Sequence, residues 1–92
     1  MRSSLLFFIV ALTVSVSAQT PPVSQSFESA TRTAQAQQYE QAIEKYRATI
    51  LYAESERLDD KFLAKIHFNI GVCFYHLKQT AEAAEEFTEA SS

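Results

Sequence analysis

From residue 24 onward the apolar positions recur at intervals of three and four with little interruption, which is the period of an α-helix. The clearest stripe is Leu63, Ile66, Ile70, Phe74 and Leu77. Phe68, Val72 and Tyr75 form a second stripe on nearly the opposite side of the same segment. A helix that is apolar on two faces is either sandwiched between neighbours or leaves a sticky patch in solvent. Pro21 and Pro22 precede this region, and Gly71 is the one glycine of the chain, so the helix breaks must come from weaker punctuation. Three short polar stretches supply it: Ala36 to Gln38, Leu58 to Asp60 and Lys78 to Thr80. Ser24 or Ser26, Asp59 or Asp60, and Thr80 are the N-cap candidates, because their side-chain oxygens can accept from the free N–H groups of a first helical turn. The pattern predicts an all-α chain of four helices, over about 24–36, 39–57, 61–77 and 80–90.

Gly71 lies inside the third of these. Glycine in a helix interior costs about 1 kcal/mol relative to alanine, so a close approach of another element is expected at that point. Sliding the chain over itself by 41 positions places Phe27 on Phe68, Ala30 on Gly71, Gln38 on Gln79, Ala42 on Ala83, Glu44 on Glu85 and Tyr46 on Phe87. Small residues meet small ones and aromatics meet aromatics. Self-similarity of this kind marks a repeat architecture, in which each helical hairpin cannot bury its apolar face alone.

The second copy, Ala64 to Ala90, resembles a tetratricopeptide repeat. Gly71, Phe74, Ala83, Phe87 and Ala90 fall at that family's small and aromatic positions, and Asn69-Ile70 resembles the pair that precedes the small residue. It departs at His67, Thr80 and Lys78, where a large apolar residue, an aromatic and a glycine are common. In the first copy Ala30, Ala42 and Tyr46 match, whereas Thr33 and Thr49 replace an aromatic and an alanine. The spacing exceeds the family's usual 34 by seven residues, or about 10 Å of helix. The resemblance implies tandem antiparallel helical hairpins, a short α-solenoid, with repeats over 24–57 and 58–92 after a polar linker at 19–23. It further implies a contact between Gly71 and Ala83, with Phe74 and Phe87 filling the core beside it.

The first eighteen residues have a different character. Arg2, the apolar run Leu5 to Val16, and the small residues to Ala18 read as a secretory signal peptide (1–18), too short for a membrane span. Export to a periplasmic or extracellular setting is therefore expected, with no membrane span after cleavage. Removing that segment takes Arg2 and leaves seven of the eight basic residues against eleven acidic, a net charge of −4. Basic residues are scattered, which excludes a nucleic-acid footprint. Cys73 has no internal disulfide partner, and its placement in an apolar helix reads as a buried small residue. Cys73 and His76, with His67 further off, make only a weak metal pattern, and no acidic pair, activated nucleophile or phosphate-cradling loop is present. No catalysis, metal or cofactor is expected.

In the resembled family the first helix of each hairpin lines a concave groove. The groove positions here are Phe68, Val72 and Tyr75, flanked by Lys65 and His76, so the expected function is an exported interaction module that binds a protein or peptide partner. Phe27, Thr31, Phe68 and Val72 stand where the members that clamp a C-terminal carboxylate need lysine and asparagine, which excludes that activity. The alternatives are homodimerisation through the same face, or a piece of a larger envelope protein. Two hairpins make a small core of marginal stability, so further repeats or a partner are expected to complete it.

Overall fold

A computed structural model of the protein describes residues 22–92; residues 1–18, expected to be a signal peptide, and residues 19–21 lie outside the described residues. Four helices follow one another: α1 (Pro22–Gln35), α2 (Tyr39–Ser55), α3 (Asp60–His76) and α4 (Thr80–Ser91). There is no strand among the described residues. Each helix packs on its sequence neighbour, α1 on α2, α2 on α3 and α3 on α4. The cross-contacts run in opposite directions along the first two pairs: Ser26 meets Thr49 while Thr31 meets Tyr46, and Tyr39 meets His76 while Tyr46 meets Asn69.

The core follows the helical stripes. Val23 and Ala30 from α1, Ala42, Ile43, Tyr46 and Ala53 from α2, and Ile66, Ile70, Cys73 and Phe74 from α3 are buried together, with Ala83 as the sole buried residue of α4. Leu63 and Leu77, the outer members of the α3 stripe, are half-buried against this cluster. Val23 belongs to α1 and to the core, so the last two residues of the polar linker expected over 19–23 are helical instead. A proline is well suited to a first turn because its missing N–H has no partner there in any case.

Ser24 and Ser26 consequently lie inside α1, and neither is its cap. Asp59 does cap α3, accepting from the Phe62 backbone N–H at 3.1 Å, and Leu58 and Leu63 on either side of the cap both pack on the core in the manner of a hydrophobic staple. Thr80 is the first residue of α4 rather than its cap, and Gln79, in the cap position, makes no side-chain cap bond.

The first three helices all end in the same way. Gln37, Arg57 and Lys78 have φ of 66°, 58° and 63°, in the left-handed region. Each turn closes with a pair of backbone bonds, such as Gln38 N–H to Thr33 C=O and Gln37 N–H to Ala34 C=O, the Schellman arrangement that satisfies the last carbonyls of a helix. Residues with a Cβ pay a steric penalty in that conformation. Lys78→Gly is therefore expected to stabilise the protein by about 0.5–1 kcal/mol, seen as a higher urea midpoint with an unchanged slope. A lower midpoint would mean that the Lys78 side chain makes a contact worth more than the backbone relief.

Candidate functional site

Between α1 and α3 runs a cleft of about 210 Å³, floored by α2. Thr31 and Ala34 of α1 form one wall, Asn69, Val72 and His76 of α3 the other, and Tyr39 and Tyr46 the base. Tyr46 is 2% exposed, and its hydroxyl is the polar centre of the floor. It shares a hydrogen bond of 2.8 Å with Thr31 Oγ1 and accepts one of 3.3 Å from Asn69 Nδ2. One phenol on the middle helix thus ties both outer helices. At the far end the Tyr39 and His76 rings stack with centroids 4.6 Å apart and planes 5° from parallel.

The α1–α2 side of the molecule is held by hydroxyls. Thr33 and Thr49 are buried, and each hydroxyl donates to the carbonyl four residues earlier, of Ser29 and Lys45 respectively, at 2.8 Å. With its proton used in this way, Thr33 Oγ1 accepts from Lys45 Nζ at 2.9 Å and Thr49 Oγ1 accepts from Ser26 Oγ. This accounts for threonine where an aromatic and an alanine were the family expectation: every buried hydroxyl has its partners, and no buried side-chain polar atom among the described residues lacks one.

The α3–α4 side is aromatic. A Cβ on Gly71 would stand 2.6 Å from Cε1 and 2.7 Å from Cδ1 of Phe87. The glycine therefore makes room for the Phe87 ring, whereas the expectation paired it with Ala83. Phe87 also tilts against Phe68, with centroids 5.4 Å apart. Beside this contact His67 Nδ1 and Glu86 Oε1 lie 2.8 Å apart, both about one-fifth exposed, so the polar residue at position 67 has a partner across the helix pair.

The five residues expected to line a single groove are distributed over three concavities of α3. Val72 and His76 line the α1–α3 cleft. Lys65 and Phe68 line a second cleft, beside Phe87 and Ala90 of α4, and Lys65 Nζ also stands 5.4 Å from the Phe27 ring centroid. Tyr75, 64% exposed, borders a shallow depression with Lys78 and Thr80. The residues that complete the first cleft, Thr31, Tyr39 and Asn69, were not among the candidates. Tyr39 lies seven residues before Tyr46 on the same face of α2, and Asn69 is an amide within an apolar run; both signals were present in the sequence.

Of the residues expected to pack the repeats, Ala30, Ala42, Tyr46, Gly71, Phe74 and Ala83 are buried, and Phe87 and Ala90 are half-buried. Phe74 also receives the Arg47 guanidinium over its ring at 5.8 Å. Cys73 is buried and free, and burial raises its thiol pKa. A protonated thiol is a poor nucleophile and a poor metal ligand. Among the described residues no group of three or more His, Cys, Asp or Glu is arranged to hold a metal, and no helix is long and apolar enough to cross a membrane.

Burial also raises the Tyr46 phenol pKa, an effect its hydrogen bonds with Thr31 and Asn69 partly oppose. Both groups keep their protons in the folded chain at a pH where the unfolded chain has lost them. Their contribution to stability is therefore complete below the unfolded values, 9.0 for the thiol and 10.0 for the phenol, and falls as pH rises past each. A melting temperature that declines from about pH 9 upward is expected, with Cys73→Ala moving the onset toward about pH 10. An unmoved onset in that variant would assign the decline to other groups.

No protein-family model, curated protein or solved structure matches the chain.

Proposed function

We propose that the protein is an exported interaction module of the tetratricopeptide type, which holds a peptide segment of a partner protein in the cleft between α1 and α3. The observation that carries this reading is the cleft itself. Three helices contribute to it, its walls mix apolar side chains with Thr31, Asn69 and the His76 ring, and its floor is fixed by the Tyr46 hydroxyl. Concave surfaces with a few anchored polar groups on apolar walls are how extended or helical peptides are recognised.

Two further features support the repeat reading. The left-handed turn residues Gln37 and Lys78 are 41 apart, the same offset that superposes the sequence halves. The aromatic contacts Phe27–Tyr46 and Phe68–Phe87 are related by the same offset. The first helix of each pair would then be α1 and α3, the two that form the walls. Export rests on the apolar N-terminal segment and its small-residue end, Val16 to Ala18.

The test is selection of peptides from a displayed library against the full chain, followed by variants. Val72→Glu is expected to weaken the selected peptides at least about tenfold, roughly 1.4 kcal/mol, while Leu51→Glu, on the exposed back of α2, leaves them unchanged. Peptides indifferent to Val72→Glu, or none selected, would remove the cleft from consideration.

A further inference from the structure

Two aromatic pairs are separated by 41 positions and differ in one respect. Phe27 of α1 tilts against Tyr46 of α2 with centroids 5.7 Å apart, and Phe68 of α3 tilts against Phe87 of α4 at 5.4 Å. The first pair is covered by the next helix. Phe62, in the first turn of α3, packs on Phe27 at 5.5 Å; Lys65 stands 5.4 Å from the same ring centroid; and Asn69 reaches the Tyr46 hydroxyl at 3.3 Å. Thus α3 lays an aromatic, a cation and an amide across the pair at positions i, i+3 and i+7, which share one helix face.

The second pair has no such cover. Phe68 is 52% exposed, and a cleft of about 490 Å³ opens beside it, between Ala64, Lys65 and Phe68 of α3 and Phe87, Ala90 and Ser91 of α4. Shifted back by 41, four of these residues become Val23, Phe27, Tyr46 and Thr49; Phe27 and Tyr46 meet α3 directly, and Val23 and Thr49 are buried. The open cleft is the counterpart of an internal helix-docking site whose occupant is visible.

We infer that this cleft docks an amphipathic helix of a partner protein, entering with an aromatic residue in its first turn. Two differences from the first site refine that chemistry. Phe87 lacks the hydroxyl that Tyr46 offers to Asn69, so the i+7 position of the incoming helix is better apolar than amide. Lys65 stands where the first site has Ser24, and Lys61 adds a second ammonium at the rim; among the described residues no carboxylate lies within salt-bridge distance of either lysine. Carboxylates next to the leading aromatic would complement these two cations, and α3 itself begins with Asp59 and Asp60 ahead of Phe62. This surface is distinct from the α1–α3 cleft, and either can fail without the other.

The probe is a synthetic peptide of residues 58–77, the sequence that fills the equivalent site, titrated into the isotopically labelled full chain and followed by NMR. Saturable binding is expected below about 1 mM, with shifts confined to the neighbourhood of Ala64, Phe68, Phe87 and Ala90. In the peptide, Phe62→Ala should weaken binding about tenfold and Asn69→Leu should tighten it. In the protein, Phe68→Ala should weaken it about tenfold as well. Ser91→Trp, an exposed position at the rim whose new ring would fill the cleft, should block it and decides the matter if Phe68→Ala does not fold. No saturation at that concentration, binding unaffected by Ser91→Trp, or shifts centred on Ile70 and Phe74, which would signal replacement of α3 by the peptide, each overturns the proposal.

Discussion

Replacing Gly71 by leucine is expected to destabilise the protein by about 2–3 kcal/mol, even though leucine is the better helix former by nearly 1 kcal/mol. The reason is the ring of Phe87. A Cβ at position 71 would stand 2.6 Å from it, closer than carbon atoms approach without a bond, and a leucine adds three further carbons in the same direction. The ring is half-buried and can swing outward, but it then loses its seat on α3 and its contact with Phe68. Since Ala83 is the sole fully buried residue of α4, that helix has little else to hold it.

A double-mutant cycle separates the ring contact from helix propensity. Gly71→Ala alone should destabilise by about 1 kcal/mol, because the ring must shift. In a Phe87→Ala background the same change should stabilise by about 1 kcal/mol, because only the helix-propensity term remains. The sign reversal is the signature of direct contact. Urea melts followed by circular dichroism at 222 nm would measure it, and an unchanged midpoint for Gly71→Leu would mean that ring and backbone do not meet.

Tyr46→Ala should have the larger effect, about 3–5 kcal/mol, typical of truncating a fully buried large side chain. For a domain of this size the total stability is roughly 4–10 kcal/mol, so this variant should lose about a third of it or more and unfold at room temperature if the total lies near the lower figure. Tyr46→Phe separates ring from hydroxyl. It keeps the contact with Phe27 and removes the shared point at which Thr31 and Asn69 meet α2. Both partners are half-buried and can turn toward water, so the expected loss is only about 1 kcal/mol. The loss should be accompanied by faster amide exchange in α1 and α3 on either side of the cleft. A Phe variant as damaged as the Ala variant would mean that the hydroxyl, rather than the ring, organises the three helices.

The helices themselves were legible along the chain. The boundaries expected from apolar period and polar breaks fall within about two residues of those observed, because the stripe Ile66–Ile70–Phe74 is unambiguous and the breaks coincide with turns; the first helix starts two residues early because Val23, expected in the linker, joins the core. Asp59 was legible as a cap, but two of the other caps misled. Thr80 reads as an N-cap by residue type, yet the Schellman turn through Lys78 sets where α4 starts, one residue earlier than a threonine cap requires. The candidate groove was legible as one face of α3 and no further. Lys65, Phe68, Val72, Tyr75 and His76 do share that face, but a face becomes a site only where other helices wall it, and α1 and α4 stand against different stretches of it.

The sequence alone therefore determined that the chain is helical, where its helices break, and that position 71 demands a missing side chain, because all three are local consequences of period, capping chemistry and backbone entropy. The tertiary structure decided what fills the space over Gly71, which partners the buried hydroxyls of Tyr46, Thr33 and Thr49 find, and how one apolar face is divided into separate clefts. Apart from the bonds Thr33 and Thr49 make to carbonyls one turn back, those outcomes depend on residues 12 or more positions apart being brought within a few ångströms, and the offset along a helix that a neighbour selects is set by the packing of whole faces rather than by any one of their residues.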